Sequence, residues 1–158
     1  MIKSIFLSKK LITSILVETF DPPITAATGL FGLFKTLSKK LSKNINLETK
    51  FFWVDERCVS PDSEESNYKM TKENLFKNNI FKPENIFRIK GENNPENELI
   101  DYNKILKKKL KLENNIPKFD LIILGLGDDG HTASLFPHEF LKFRNKEECI
   151  IATHPTSG

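Results

Sequence analysis

The chain has 158 residues, 39% apolar and 28% charged, with a formal net charge of +3. That is enough for one domain, 1–158, with a sizeable core, and it fits a soluble globular protein. Scattered lysines do not call for nucleic acid, no apolar run is long enough for a membrane span, and Cys58 and Cys149 form neither a disulfide framework nor a metal-ligand spacing with His131, His138 and His154.

Residues 3–17 mix apolar clusters with Ser and Lys and predict a helix, or a helix followed by a strand. Lys3, Lys9 and Lys10 without an acid give a faint transit-peptide flavour. An ordinary first helix of a cytoplasmic domain is the preferred reading. Asp21-Pro22-Pro23 breaks the chain. Apolar residues at 30, 33, 34, 37 and 41 form a helical stripe, with Lys35, Lys39, Lys40 and Lys43 on the wet side. Phe51-Phe52-Trp53-Val54 predicts a short buried strand that ends in Asp55-Glu56-Arg57. Ser66 is placed to cap a helix running to about Lys77. An extended piece, Ile86 to Ile89, follows Pro83. Residues 97–112 predict a clear helix with Leu99, Tyr102, Leu106 and Leu110 on one stripe, ended by Asn114-Asn115 and Pro117. A buried strand at 120–124 then empties into a glycine loop, a short helix stops near Pro137, and Cys149 to Thr153 forms a last apolar strand. Alternating strands and helices predict an α/β fold with a mainly parallel sheet and helices on both faces. The chain stops directly after a strand without a closing helix, so a C-terminally truncated domain is expected.

The loop Gly125-Leu-Gly-Asp-Asp-Gly130 satisfies G-x-G-x-x-G literally. A dinucleotide site would need an unhindered phosphate cradle and a long following helix. Asp128 and Asp129 oppose the first, and Pro137 opposes the second. Acid–base chemistry suits the loop better. His131 can take a proton near neutral pH. An adjacent aspartate can fix its tautomer, and backbone N–H groups at glycines can hold an oxyanion. A histidine that merely caps a helix is the bland alternative. The second motif, Asp55-Glu56-Arg57, sets carboxylates and a guanidinium at a strand end. An arginine there can grip phosphate or carboxylate oxygens in a fork, or make an ordinary surface ion pair.

Asp55-Glu-Arg-Cys-Val59 with Ser66-Asn-Tyr68, and Leu124-Gly-Leu-Gly-Asp-Asp-Gly-His-Thr-Ala-Ser-Leu-Phe-Pro137, together resemble the 6-phosphogluconolactonase family. The intervening Gly91…Asn94-Pro95…Tyr102 pattern is similar too. The resemblance implies a Rossmann-like domain of the type shared with sugar-phosphate isomerases and deaminases. It implies hydrolysis of 6-phosphogluconolactone in the oxidative pentose phosphate pathway, without metal or organic cofactor. By position it makes His131 the general base, supported by Asp129. Asp55, Glu56 and Arg57 line the pocket, and Gly125, Gly127 and Gly130 supply backbone donors. Ser134 is read as a packing or capping residue, not a nucleophile. The family's early Ser-Gly-Gly-Ser-Thr-Pro phosphate loop is replaced by Thr25-Ala-Ala-Thr-Gly-Leu30, which keeps hydroxyls at Thr25 and Thr28. The family domain also continues beyond a point like Gly158 with further basic contacts. The implied partners are a small sugar-phosphate lactone and a glucose-6-phosphate dehydrogenase, fused or functional. Two rivals stand beside this reading. One is a degenerate, non-catalytic sugar-phosphate-binding domain. The other is an aminosugar-phosphate isomerase or deaminase, whose loop would read Ile-Ala-Phe-Asn-Glu-Pro after the histidine.

Overall fold

The run Phe51-Phe52-Trp53-Val54 sits at the centre of the core, each residue at most 1% exposed. The computed structural model describes residues 3–6, 15–17, 32–35, 38, 49–77, 81–125, 130–136 and 149–153. In chain order these form β1 (Lys3–Phe6), β2 (Ile15–Val17), β3 (Phe51–Trp53), α1 (Asn67–Asn74), β4 (Ile86–Phe87), α2 (Pro95–Lys109), β5 (Lys111–Glu113), β6 (Ile116–Lys118), β7 (Leu121–Ile122) and β8 (Ile150–Thr153). A short 3₁₀ turn, Pro83–Asn85, leads into β4. Residues 32–35 are helical, within the expected stripe.

Four strands pair in parallel in the order β4-β3-β2-β7. Their registers run Ile86↔Phe51↔Ile15↔Leu121 and Phe87↔Phe52↔Leu16↔Ile122. The chain moves outward from β2 through β3 to β4, then returns to place β7 on the other side of β2. Ligands of open parallel sheets bind beyond the carboxyl ends of the strands where the order reverses in this way. Here the order reverses between β2 and β7, and the two motifs follow the carboxyl ends of β7 and of β3, the strand on the other side of β2.

Aromatic packing explains why β3 reads as an unbroken apolar run. Phe51 meets Phe76 and Phe81 edge-on at 5.1 and 4.8 Å, and Trp53 meets Phe76 at 6.1 Å. Phe52 stacks on Phe87 at 4.9 Å and meets Phe119 at 5.7 Å. Neighbouring residues of a strand face opposite sides of the sheet, so β3 is covered on both. Each such ring contributes roughly 1.5–3 kcal/mol through burial. Where β3 and β4 diverge, the fully buried Tyr102 of α2 takes over the ladder. Its hydroxyl accepts from Trp53 N at 2.9 Å and has the carbonyls of Trp53 and Phe87 as acceptors at 3.0 and 3.3 Å.

Several expected elements differ. Residues 3–6 are a strand, not a helix, paired antiparallel with β8 in a separate two-stranded sheet. Pairing across the chain overrides a local pattern that fits a helix equally well. The helix over 97–112 ends at Lys109, where Leu110 turns extended. The residues after it form a β5–β6 hairpin. Asn114 and Asn115 take φ of 51° and 63°, the two-residue turn that matches strand twist. The strand expected at 120–124 pairs only at Leu121–Ile122, and Leu121 and Leu124 stay 47% and 51% exposed. Beyond the glycine loop there is a tight turn at 132–135 in place of a short helix. Ala133 and Ser134 both have positive φ, 54° and 56°, which no right-handed helix accommodates.

Candidate active site at the ends of β3 and β7

Three charged residues follow β3 into the interior. Asp55 and Glu56 are each 3% exposed and Arg57 is 9% exposed. Charges so placed need partners, because an unpaired buried charge is costly. The structure supplies them from α1. Glu56 Oε1 accepts from the backbone N–H groups of Arg57 and Asn67, both at 2.8 Å. Its Oε2 accepts from Tyr68 N at 2.8 Å and from the Ser66 hydroxyl at 3.1 Å. Ser66 Oγ in turn accepts from Lys69 N at 3.1 Å. The first N–H groups of α1, which have no partner within the helix, are thus met by a carboxylate and an N-cap serine. A negative charge also suits this end of the helix dipole. Burial still pushes the Glu56 carboxyl above its ordinary value, opposed by the N–H groups of Tyr68, Asn67 and Arg57.

Asp55 is the hub of the cluster. Asn67 Nδ2 donates to its Oδ1 at 2.8 Å and to its main-chain carbonyl at 3.1 Å. Ser134 Oγ donates to its Oδ2 at 2.6 Å, joining residues 79 positions apart. Burial raises the Asp55 carboxyl above its usual range. The Arg57 charge, the Ser134 hydroxyl, the His131 ring and Asn67 all act in the opposite direction. The Ser134–Asp55 bond shows that the two sequence motifs converge.

Arg57 is anchored through Nη1 to the carbonyl of Glu65 at 3.1 Å. Its own carbonyl accepts from Val59 N at 2.8 Å and abuts buried Gly91, where a Cβ would lie 2.0 Å from it. The Gly91 turn is held by buried Glu98 in the first turn of α2. That carboxylate accepts from Lys90 N at 2.9 Å and Asn93 Nδ2 at 2.8 Å. Half-buried His131 lies against Phe136, ring centroids 4.9 Å apart. Gly130 before it has φ 82°, which glycine alone adopts without strain. Thr132 Oγ1 donates to the carbonyl of buried Gly125 at 2.7 Å and ties the loop's exit to its entry.

Asp55, Glu56, Arg57, Gly125, Gly130 and His131 therefore belong to one neighbourhood. Thr25, Thr28, Gly127 and Asp129 lie outside the described residues. Sequence reasoning passed over Asn67, Gly91 and Glu98 as working parts, and gave Ser134 only a packing or capping role. Ser66-Asn67-Tyr68 was visible as a motif, yet only the fold shows that its amide grips Asp55. Among the described residues no group of His, Cys, Asp and Glu is arranged to hold a metal ion. No helix among them is long and apolar enough to cross a membrane.

Residues 31–158 match the family described as glucosamine-6-phosphate isomerases/6-phosphogluconolactonase. The chain is 34% identical over 167 residues to a 6-phosphogluconolactonase of Treponema pallidum, covering 99% of itself and 69% of that protein. It is 44% identical over 128 residues to a 6-phosphogluconolactonase of Haemophilus influenzae, covering 80% of itself and 53% of the relative. The crystal structure of a devB protein superposes with a TM-score of 0.81 at 34% identity, over 97% of this chain and 62% of that one. The chain thus spans between about half and just over two thirds of the length of these relatives.

Proposed function

The chain belongs to the glucosamine-6-phosphate isomerase/6-phosphogluconolactonase family, and on that premise we propose that it hydrolyses 6-phospho-D-glucono-1,5-lactone to 6-phosphogluconate. The observation that carries this reading is the Ser134–Asp55 bond of 2.6 Å, which draws the His131 turn to the strand end bearing Arg57. A base and a cation beside one crevice suit attack of water on an anionic ester.

In this mechanism neutral His131 takes a proton from water as the water oxygen attacks the lactone carbonyl. The charge that develops on the carbonyl oxygen is met by backbone N–H groups of the Gly125, Gly127 and Gly130 turn. The tetrahedral intermediate collapses by breaking the bond to the ring oxygen, and protonated His131 returns the proton to that leaving oxygen. General-base assistance of this kind contributes typically ~10²–10⁴-fold. An oxyanion donor contributes about 2.7–4 kcal/mol. Asp129 supports the imidazolium. Arg57 binds substrate oxygens, the hydroxyls of Thr25 and Thr28 take the role of phosphate ligands that the family resemblance gives them, and Asp55 and Glu56 order the pocket wall. The family fold is taken as Rossmann-like, and the setting as cytoplasmic, in sequence with a dehydrogenase that makes the lactone. An isomerase would want a carboxylate where this chain has Ser134-Leu135-Phe136.

The test generates the lactone with a glucose-6-phosphate dehydrogenase and follows acid release by the 158-residue chain. The chain should accelerate release, and His131→Ala should lower kcat by about 10²–10⁴-fold. Equal rates for the chain and the alanine variant would remove His131 from the mechanism. Binding of 6-phosphogluconate without turnover would favour the non-catalytic reading instead.

A further inference from the structure

We infer that Ser134 is a positioning residue: its hydroxyl fixes the Asp55 carboxylate and, through it, the placement of the His131 turn against the end of β3. The inference deepens the hydrolytic reading above and rests on it for its kinetic consequence. Three independent features converge on this serine.

The first is the bond itself. At 2.6 Å it lies in the range of short, charge-assisted O–H···O⁻ contacts, and both residues are buried. The second is the way it completes a clamp. Asn67, in the first turn of α1, holds Oδ1 of Asp55 at 2.8 Å while Ser134 holds Oδ2. With a donor on each oxygen the carboxylate cannot rotate, and β3, α1 and the histidine turn meet at one group. The third is backbone shape. Ala133 and Ser134 stand consecutively at φ 54° and 56°, a conformation that residues with a Cβ rarely take. Such backbone persists where the surroundings over-determine it, and it clusters at functional sites. Here the surroundings are the Thr132–Leu135 pairing, with Leu135 N donating to Thr132 O at 2.8 Å, and the Asp55 anchor.

The same geometry argues against Ser134 as a nucleophile. Its residue is 7% exposed and its proton is committed to Asp55. An oxygen so placed is not presented to an incoming carbonyl.

The experiment compares the 158-residue wild type with Ser134→Ala, Ser134→Gly and Asp55→Asn. Both serine variants lose the hydroxyl, but only glycine relieves the positive φ, so the glycine variant should melt higher than the alanine one. Three quantities are read: kcat and KM for the lactone, the thermal midpoint, and the ¹⁵N resonances of the His131 ring. Both serine variants should lose kcat by up to about 100-fold with KM little changed, as expected for a misplaced catalytic group. Their His131 resonances should move in the direction seen for Asp55→Asn. A glycine variant whose rate recovers in step with its midpoint would overturn the inference, because stability alone would then explain the loss. Unmoved His131 resonances would overturn it as well. A wild type silent toward the lactone, with His131 resonances that still move in the serine variants, would leave the clamp standing and refute the hydrolytic reading.

Discussion

Gly91→Ala tests whether the backbone behind Arg57 is held in place by close packing. The added Cβ would stand 2.0 Å from the Arg57 carbonyl oxygen, 3.0 Å from that of Val59 and 3.1 Å from the Arg57 carbonyl carbon. These are main-chain atoms, so no side chain can swing aside. Moving from 2.0 Å to an ordinary 3.4 Å contact requires a displacement of about 1.4 Å. Neither side yields easily. Arg57 O holds Val59 N at 2.8 Å, and Arg57 N is bonded to Glu56 at 2.8 Å. The Gly91 turn is fastened to Glu98 on its other flank. Overpacking of this kind costs about 1–3 kcal/mol. For a chain of this size that corresponds to a fall of roughly 2–12 °C in Tm. A shift of an ångström at Arg57 should also lower lactonase kcat/KM by up to about 100-fold. Calorimetry and the coupled lactone assay measure the two effects. An alanine variant with wild-type Tm and wild-type kcat/KM would refute the reasoning. A lower Tm with full activity would show that Arg57 does not depend on this contact.

Two further outcomes follow from the hydrogen bonds. Tyr102→Phe leaves the buried Trp53 N–H without its 2.9 Å acceptor, so urea unfolding should show a loss of about 1–3 kcal/mol. A loss within experimental error would mean that the sheet closes the gap by itself. The Asp55 carboxyl is raised by burial, so the folded state binds its proton more tightly than the unfolded state does. Its share of stability is fully present below the unfolded value, near 3.8, and is lost as pH rises through the higher folded value. The urea midpoint of Asp55→Asn relative to wild type should therefore become less favourable as pH is lowered from 7 toward 4. A pH-independent difference would contradict this sign.

What the sequence makes legible depends on how local each signal is. Phe51–Trp53 reads as a buried strand because parallel strands covered on both faces are continuously apolar, and the structure buries all three residues. Ser66 reads as an N-cap because the capping bond spans three residues. The strand at Lys3–Phe6 is not legible in the same way, since its partner lies at Ile150–Thr153. The hairpin turn at Asn114-Asn115 was written in the sequence, but two asparagines serve a helix stop and a positive-φ turn equally well. At the site, the two motifs could be seen separately and by resemblance. The clamp that unites them could not, because local spacing carries no information about which serine reaches Asp55. The turn at 132–135 was missed for the same reason, since a tertiary anchor there outweighs intrinsic backbone preference.

The 79-residue span between Asp55 and Ser134 has a bearing on how the protein matures. Contacts that close long loops form late, after local helices and neighbouring strands have already gained their own stabilisation. Trp53, the sole tryptophan, lies in the buried aromatic cluster and reports burial of the core. On refolding, its fluorescence should return before turnover does. A chain caught between those two moments would be packed yet would still lack the tie between the histidine turn and the end of β3.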